Sequence, residues 1–190
     1  MMDLAEIKRE ELKDAEALEE LKQFEELQDF FVNFEEEDPS GGVIDKLDAL
    51  EQDDRTLEEI LGIGREIMDI YYECSREILG QKLYEHSGNA FLFMTMLNPY
   101  VYDYWMGLAL SEHLSGKYDV AIRAYSMAAL TNMDHPAPHF FVGQCLAAQE
   151  KYHDAIGALE YTMKMTVTEE EYQSFYKKAR ALKKSVEAKI

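Results

Sequence analysis

Gly116-Lys117-Tyr118-Asp119-Val120-Ala121-Ile122 recurs in altered form as Glu150-Lys151-Tyr152-His153-Asp154-Ala155-Ile156, 34 residues further along the chain. Ala109 and Gly143 extend the match upstream at the same interval. A fixed period with small residues at fixed places has a mechanical reading. Small side chains let two helices cross closely, an aromatic sits at the turn between them, and larger side chains fill the interface to the next pair. Stepping outward by the same period gives three copies: about Met68 to Val101, Tyr102 to His135, and Pro136 to Glu169. The second copy carries Trp105, Leu108, Ala109, Tyr118, Ala121, Tyr125 and Ala128 at the patterned positions. The third keeps Gly143, Tyr152 and Ala155 but places His139, Glu150 and Thr162 where the pattern is weaker. The first is the most degenerate, with Tyr71, Ser75, Tyr84, Ser87, Phe91 and Pro99.

This is the period of the tetratricopeptide repeat, a helix-turn-helix unit, so the expected fold is all-α, a three-repeat solenoid. Such a stack needs its ends covered. A helix opening at Thr168-Glu169-Glu170-Glu171 can cap one end and the segment before Met68 the other. Ser115 to Ser126, followed by Asp134-His135-Pro136-Ala137-Pro138-His139-Phe140, resembles the class II chaperones of bacterial type III secretion, which escort translocator proteins. The resemblance covers roughly Ile67 to Met165. It implies a shallow bowl whose concave face, lined by the first helix of each repeat, holds an extended hydrophobic stretch of a translocator or effector protein. It also implies a homodimer through the N-terminal region and residence in the bacterial cytoplasm. The repeat register directs Tyr72, Arg76 and Leu79 of the first copy into that groove, with Tyr102, Met106, Leu110 and His113 of the second and Phe140, Gln144 and Ala147 of the third. Aromatic and aliphatic pockets with few polar groups suit an extended apolar peptide whose backbone is oriented by Arg76, His113 and Gln144. The alternative for each residue is packing against the capping helix or the N-terminal helix.

Around this repeat the chain is strongly acidic. Its formal net charge is -19, and the first sixty residues hold 22 acidic against 6 basic side chains. Such a field repels phosphate backbones and anionic lipid, so nucleic acid and membrane are excluded as the main partner. No stretch approaches the ~18 apolar residues of a membrane span, and the acidic start lacks the apolar core of a signal peptide. Leu12, Ala15, Leu18, Leu21, Phe24, Leu27, Phe30, Phe31 and Phe34 mark one helical face between about Leu4 and Phe34, and Asp38-Pro39-Ser40-Gly41-Gly42 breaks it. Residues 1–56 therefore read as an acidic N-terminal helical arm, ordered throughout or disordered in part, and residues 57–190 as the repeat domain with its C-terminal cap. Thr56-Leu57-Glu58-Glu59 has the form of a capping box, which predicts a helix from Leu57, and Asn98-Pro99 predicts a helix end. Cys74 and Cys145, without CxxC spacing, read as small buried side chains in a reducing compartment.

Local patterns for chemistry are weak. His86, His113, His135, His139 and His153 include no HExxH motif, and Pro136 and Pro138 oppose a regular helical metal face between His135 and His139. Gly62-Ile63-Gly64 sits within a helical pattern and lacks the lysine and strand of a phosphate loop. No cofactor, metal or catalytic residue is expected. The leading function is a secretion chaperone that covers the hydrophobic parts of a translocator before export, and the alternative is an adaptor docking a partner's tail within a stable assembly.

Overall fold

The computed structural model describes residues 55–167 and 169–190. The expected helix over Leu4 to Phe34, the loop at Asp38 to Gly42 and Thr168 lie outside them. Among the described residues every regular element is helical.

Thr56 acts as its pattern demands. The Glu59 N–H donates to Thr56 Oγ1 at 3.3 Å, and the Thr56 N–H donates to the Glu59 carboxylate at 2.8 Å. Two otherwise unpaired donors are thereby satisfied and helix α1 (Leu57–Leu61) starts where predicted. It runs for only 5 residues, because Gly62 adopts a left-handed φ of 71° that a side chain would oppose. The segment Gly62-Ile63-Gly64, expected within a helical run, is instead the break before α2 (Arg65–Gly80). Compact units divide at Ile70, and the second unit spans Tyr71–Ile190.

That second unit continues with α3 (Tyr84–Leu97), α4 (Tyr102–Leu114), α5 (Tyr118–Thr131), α6 (Ala137–Ala148), α7 (Tyr152–Thr166) and α8 (Gln173–Glu187). From α3 to α8 each helix packs on the next, and α8 also touches α6. The backbone repeats itself at the sequence period. Lys82, Gly116 and Glu150, each 34 residues apart, all take positive φ, at 63°, 81° and 61°. One residue later the N–H groups of Leu83, Lys117 and Lys151 reach back to the carbonyls of Ile78, Glu112 and Leu146 at 3.2, 2.9 and 3.0 Å. This is the six-to-one bond of a Schellman motif, which ends the first helix of every repeat in the same way. Asn98 and Asn132, again 34 apart, close α3 and α5 with φ of -144°.

The crossings explain the small residues. Ala109, Ala121, Ala128 and Ala155 have no exposed surface. A Cβ on Gly143 would stand 2.8 Å from Leu159 Cδ2, so only glycine lets α6 approach α7 this closely. In the degenerate first repeat serines take the alanine positions, and their hydroxyls find partners. Ser87 Oγ donates to the Ser75 carbonyl at 3.1 Å and lies 3.0 Å from Ser111 Oγ, while Ser75 Oγ donates to the Tyr71 carbonyl at 2.7 Å. Buried hydroxyls that are paired in this way carry little penalty, which is why the copy can diverge and still pack.

Two expectations change. The last helix begins at Gln173, after a 3-10 turn over Glu170–Tyr172, and Glu169 makes no side-chain cap there. The Thr-x-x-Glu spelling thus gives a tight turn first, with the helix one turn later. Of the two cysteines only Cys145 is buried; Cys74 is exposed, since it neighbours the crossing residue Ser75 and a step of one residue rotates the side chain about 100° around the helix. Burial pushes the Cys145 thiol up to about 12, so it stays protonated at neutral pH.

Candidate peptide-binding groove

Aromatic contacts join the first helix of each repeat to the next. Tyr72 of α2 lies 6.1 Å from Tyr104 of α4, His113 of α4 lies 6.4 Å from Phe141 of α6, and Phe140 of α6 lies 5.7 Å from Phe175 of α8, measured between ring centroids. The row α2, α4, α6, α8 is therefore continuous, with α8 serving as a further first helix after the third repeat.

The ten residues assigned to the groove divide into two sets. Four are engaged within the protein. Tyr72 meets Phe91 edge-on at 5.9 Å, and Tyr102 places its hydroxyl 3.0 Å from His135 Nδ1. Burial raises the Tyr102 hydroxyl pKa well above that of a free phenol, so it remains a neutral hydrogen-bonding group. His113 sits among Tyr118, Tyr125 and Phe141, with Nδ1 3.3 Å from the Tyr125 hydroxyl, and burial lowers its pKa. Phe140 is only 6% exposed and packs with Leu159 and Ala179. Tyr72, Tyr102 and His113 nevertheless remain half-buried, and the other six also retain accessible surface. Leu79, Met106, Leu110, Gln144 and Ala147 are half-buried, and Arg76 is exposed, paired with Glu73 at 3.0 Å and stacked 5.8 Å over the Tyr72 ring. That exposed pair contributes little to stability and leaves the guanidinium free to exchange partners.

A cleft of about 480 Å³ opens between α6 and α8, lined by Phe140, Phe141 and Gln144 on one side and Phe175, Lys178, Ala181 and Leu182 on the other. Phe140 and Gln144 were anticipated from the repeat register, whereas the α8 side was not. A signal existed: one more step of 34 from Gln144 and Ala147 lands on Lys178 and Ala181. His135 and His139 diverge. His135 faces Tyr102, Tyr172 and Phe175, while His139 stands edge-on to Tyr161 at 4.6 Å. Among the described residues no three His, Cys, Asp or Glu side chains converge on a metal position, and no helix is long and apolar enough to cross a membrane.

The tetratricopeptide repeat family profile matches residues 102–135, the bounds expected for the second copy. Chaperone protein SicA of Salmonella typhimurium is 29% identical over 114 residues, covering 60% of this chain and 69% of the relative. Over that stretch this chain is similar to a chaperone protein. The low calcium response locus protein H of Yersinia pestis is also similar, 22% identical over 149 residues, covering 78% of this chain and 81% of that protein. Among solved structures, the Yersinia enterocolitica type III secretion chaperone SycD in complex with a peptide of the translocator YopD superposes with a TM-score of 0.63. It is 20% identical and the match covers 67% of this chain and 97% of SycD, which establishes the shared fold.

Proposed function

We propose that this chain is a translocator chaperone of a type III secretion system, holding an extended apolar segment of its client along the row of first helices and keeping it soluble before export. The observation that carries the reading is the partly open apolar surface of Leu79, Met106, Leu110 and the α6–α8 cleft, on the row where the repeat register directs a groove. SycD, which shares this fold, has been crystallised with a translocator peptide. An apolar segment destined for a membrane aggregates in water, and a groove that buries part of it removes that surface. A peptide laid against a preformed row of side chains needs no closed polar pocket, so the role is binding and not catalysis. The site of action is the bacterial cytoplasm, with a homodimer as the resting assembly.

Co-expression tests this. The client, produced alone, is expected in the insoluble fraction and, produced with this chain, in a soluble complex that co-purifies. A client that is equally soluble without the chain would overturn the escort role. Replacing Met106 and Leu110 by alanine tests the groove itself, and is expected to weaken the complex while leaving the helical content unchanged.

A further inference from the structure

The charge of this protein is distributed in a way that the hydrophobic groove does not use. Against a total of -19, the stretch Gln173–Ile190 carries six cations, Lys177, Lys178, Arg180, Lys183, Lys184 and Lys189, and one anion, Glu187. Lys183 is committed, bonded to Glu160 of α7 and lying 3.4 Å from Glu187. Lys177, Lys178, Arg180 and Lys184 are exposed and make no ion pair among the described residues. Lys178 is the one that lines the cleft, with Nζ 5.7 Å over the Phe175 ring. The ring face holds the ammonium at the mouth of an apolar cavity, where water is partly displaced and a counter-charge is felt more strongly than on open surface. Charges beyond about 8 Å are largely screened at physiological salt, so Lys178, and not the chain's total charge, dominates the potential at the cleft mouth.

We propose that the α6–α8 cleft selects an apolar side chain flanked by a carboxylate: the apolar group enters between Phe141, Phe175 and Leu182, and Lys178 takes the neighbouring acid, so the partner segment is acidic as well as hydrophobic. Charge complementarity commits the site to this occupant. A purely apolar segment would leave Lys178 unmatched at the cleft mouth, and a basic one would meet like charge. Gln144, on the opposite wall, supplies an amide for the segment's backbone. The inference rests on the groove reading and specifies what the groove takes at its C-terminal end.

Two fluorescein-labelled peptides rich in leucine and valine, identical except that glutamates in one are glutamines in the other, separate the possibilities in fluorescence anisotropy titrations with the full chain. The glutamate peptide is expected to bind about two- to fivefold more tightly at low salt, with the advantage fading as salt rises. Lys178→Gln is expected to equalise the two without shifting the melting curve, and Lys178→Glu to reverse the preference. If wild type holds both peptides equally at every salt concentration, or Lys178→Gln keeps the preference, this inference fails and the groove reading stands. If neither peptide is held, both fall together.

Discussion

Replacing Gly107 by alanine isolates the closest approach between α3 and α4. A Cβ built there would lie 2.4 Å from Phe91 Cε1 and 2.5 Å from both Cδ1 and Cζ. The ring it meets is 1% exposed and is held on another side by Tyr72, 5.9 Å away between centroids, so it has little room to rotate away. Overpacking of this kind destabilises by about 1–3 kcal/mol, and the better helix propensity of alanine offsets roughly 1 kcal/mol of that. The net expectation is a loss of up to about 2 kcal/mol, read as a lower urea midpoint with unchanged slope and a lower melting temperature. Gly157 of α7 is the internal control, because a Cβ there meets nothing within 4 Å. Gly157→Ala should stabilise by up to about 1 kcal/mol through propensity alone. Trimming the ring in the double variant Gly107→Ala with Phe91→Leu should recover part of the loss relative to the sum of the two singles, since the clash is shared. A Gly107→Ala protein stabilised as much as Gly157→Ala would refute the α3–α4 packing described above.

Ala121→Asp should be more damaging, because it puts an unpaired carboxylate where no surface is exposed, and loss of the cooperative thermal transition is the expected readout. Asp119→Ala, which removes exposed contacts with Gln149 at 2.9 Å and Lys151 at 3.7 Å, should leave the melting curve essentially unchanged. Glu150→Gly should stabilise by roughly 0.5–1 kcal/mol in chemical denaturation, since it relieves a left-handed φ of 61° at the turn where the second repeat already has Gly116. Burial lowers the pKa of His113, His135 and His139, so the folded protein binds fewer protons than the unfolded chain; stability should be full above about pH 7 and decline as pH falls through about 6.5. His139→Phe should flatten that slope in melting curves recorded between about pH 7.5 and 5.5, and an unchanged slope would remove His139 from the account.

The period of 34 was legible in the sequence because the geometry of a helix pair forces it: one crossing point demands small residues, one turn demands a left-handed residue, and both recur wherever the pair recurs. Ala109 with Gly143, and Ala121 with Ala155, therefore announced their crossings without any coordinates. The capping box at Thr56 and the stop at Asn98 were legible for the same reason, since each is a local contest over a few backbone hydrogen bonds. The break at Gly62, the late start of α8 and the exposure of Cys74 were not, because each depends on which of two locally acceptable conformations or faces the surroundings favour. The groove divides along the same line. The register placed Met106, Leu110 and Gln144 on the first helices, but only tertiary packing decided that Phe140 and His113 spend their rings on neighbouring helices, and that α8 brings Phe175, Lys178 and Leu182 against α6 to close a cleft. A repeat fixes what each unit presents by itself; which of those side chains remain open to a partner depends on what the adjoining helix leaves uncovered.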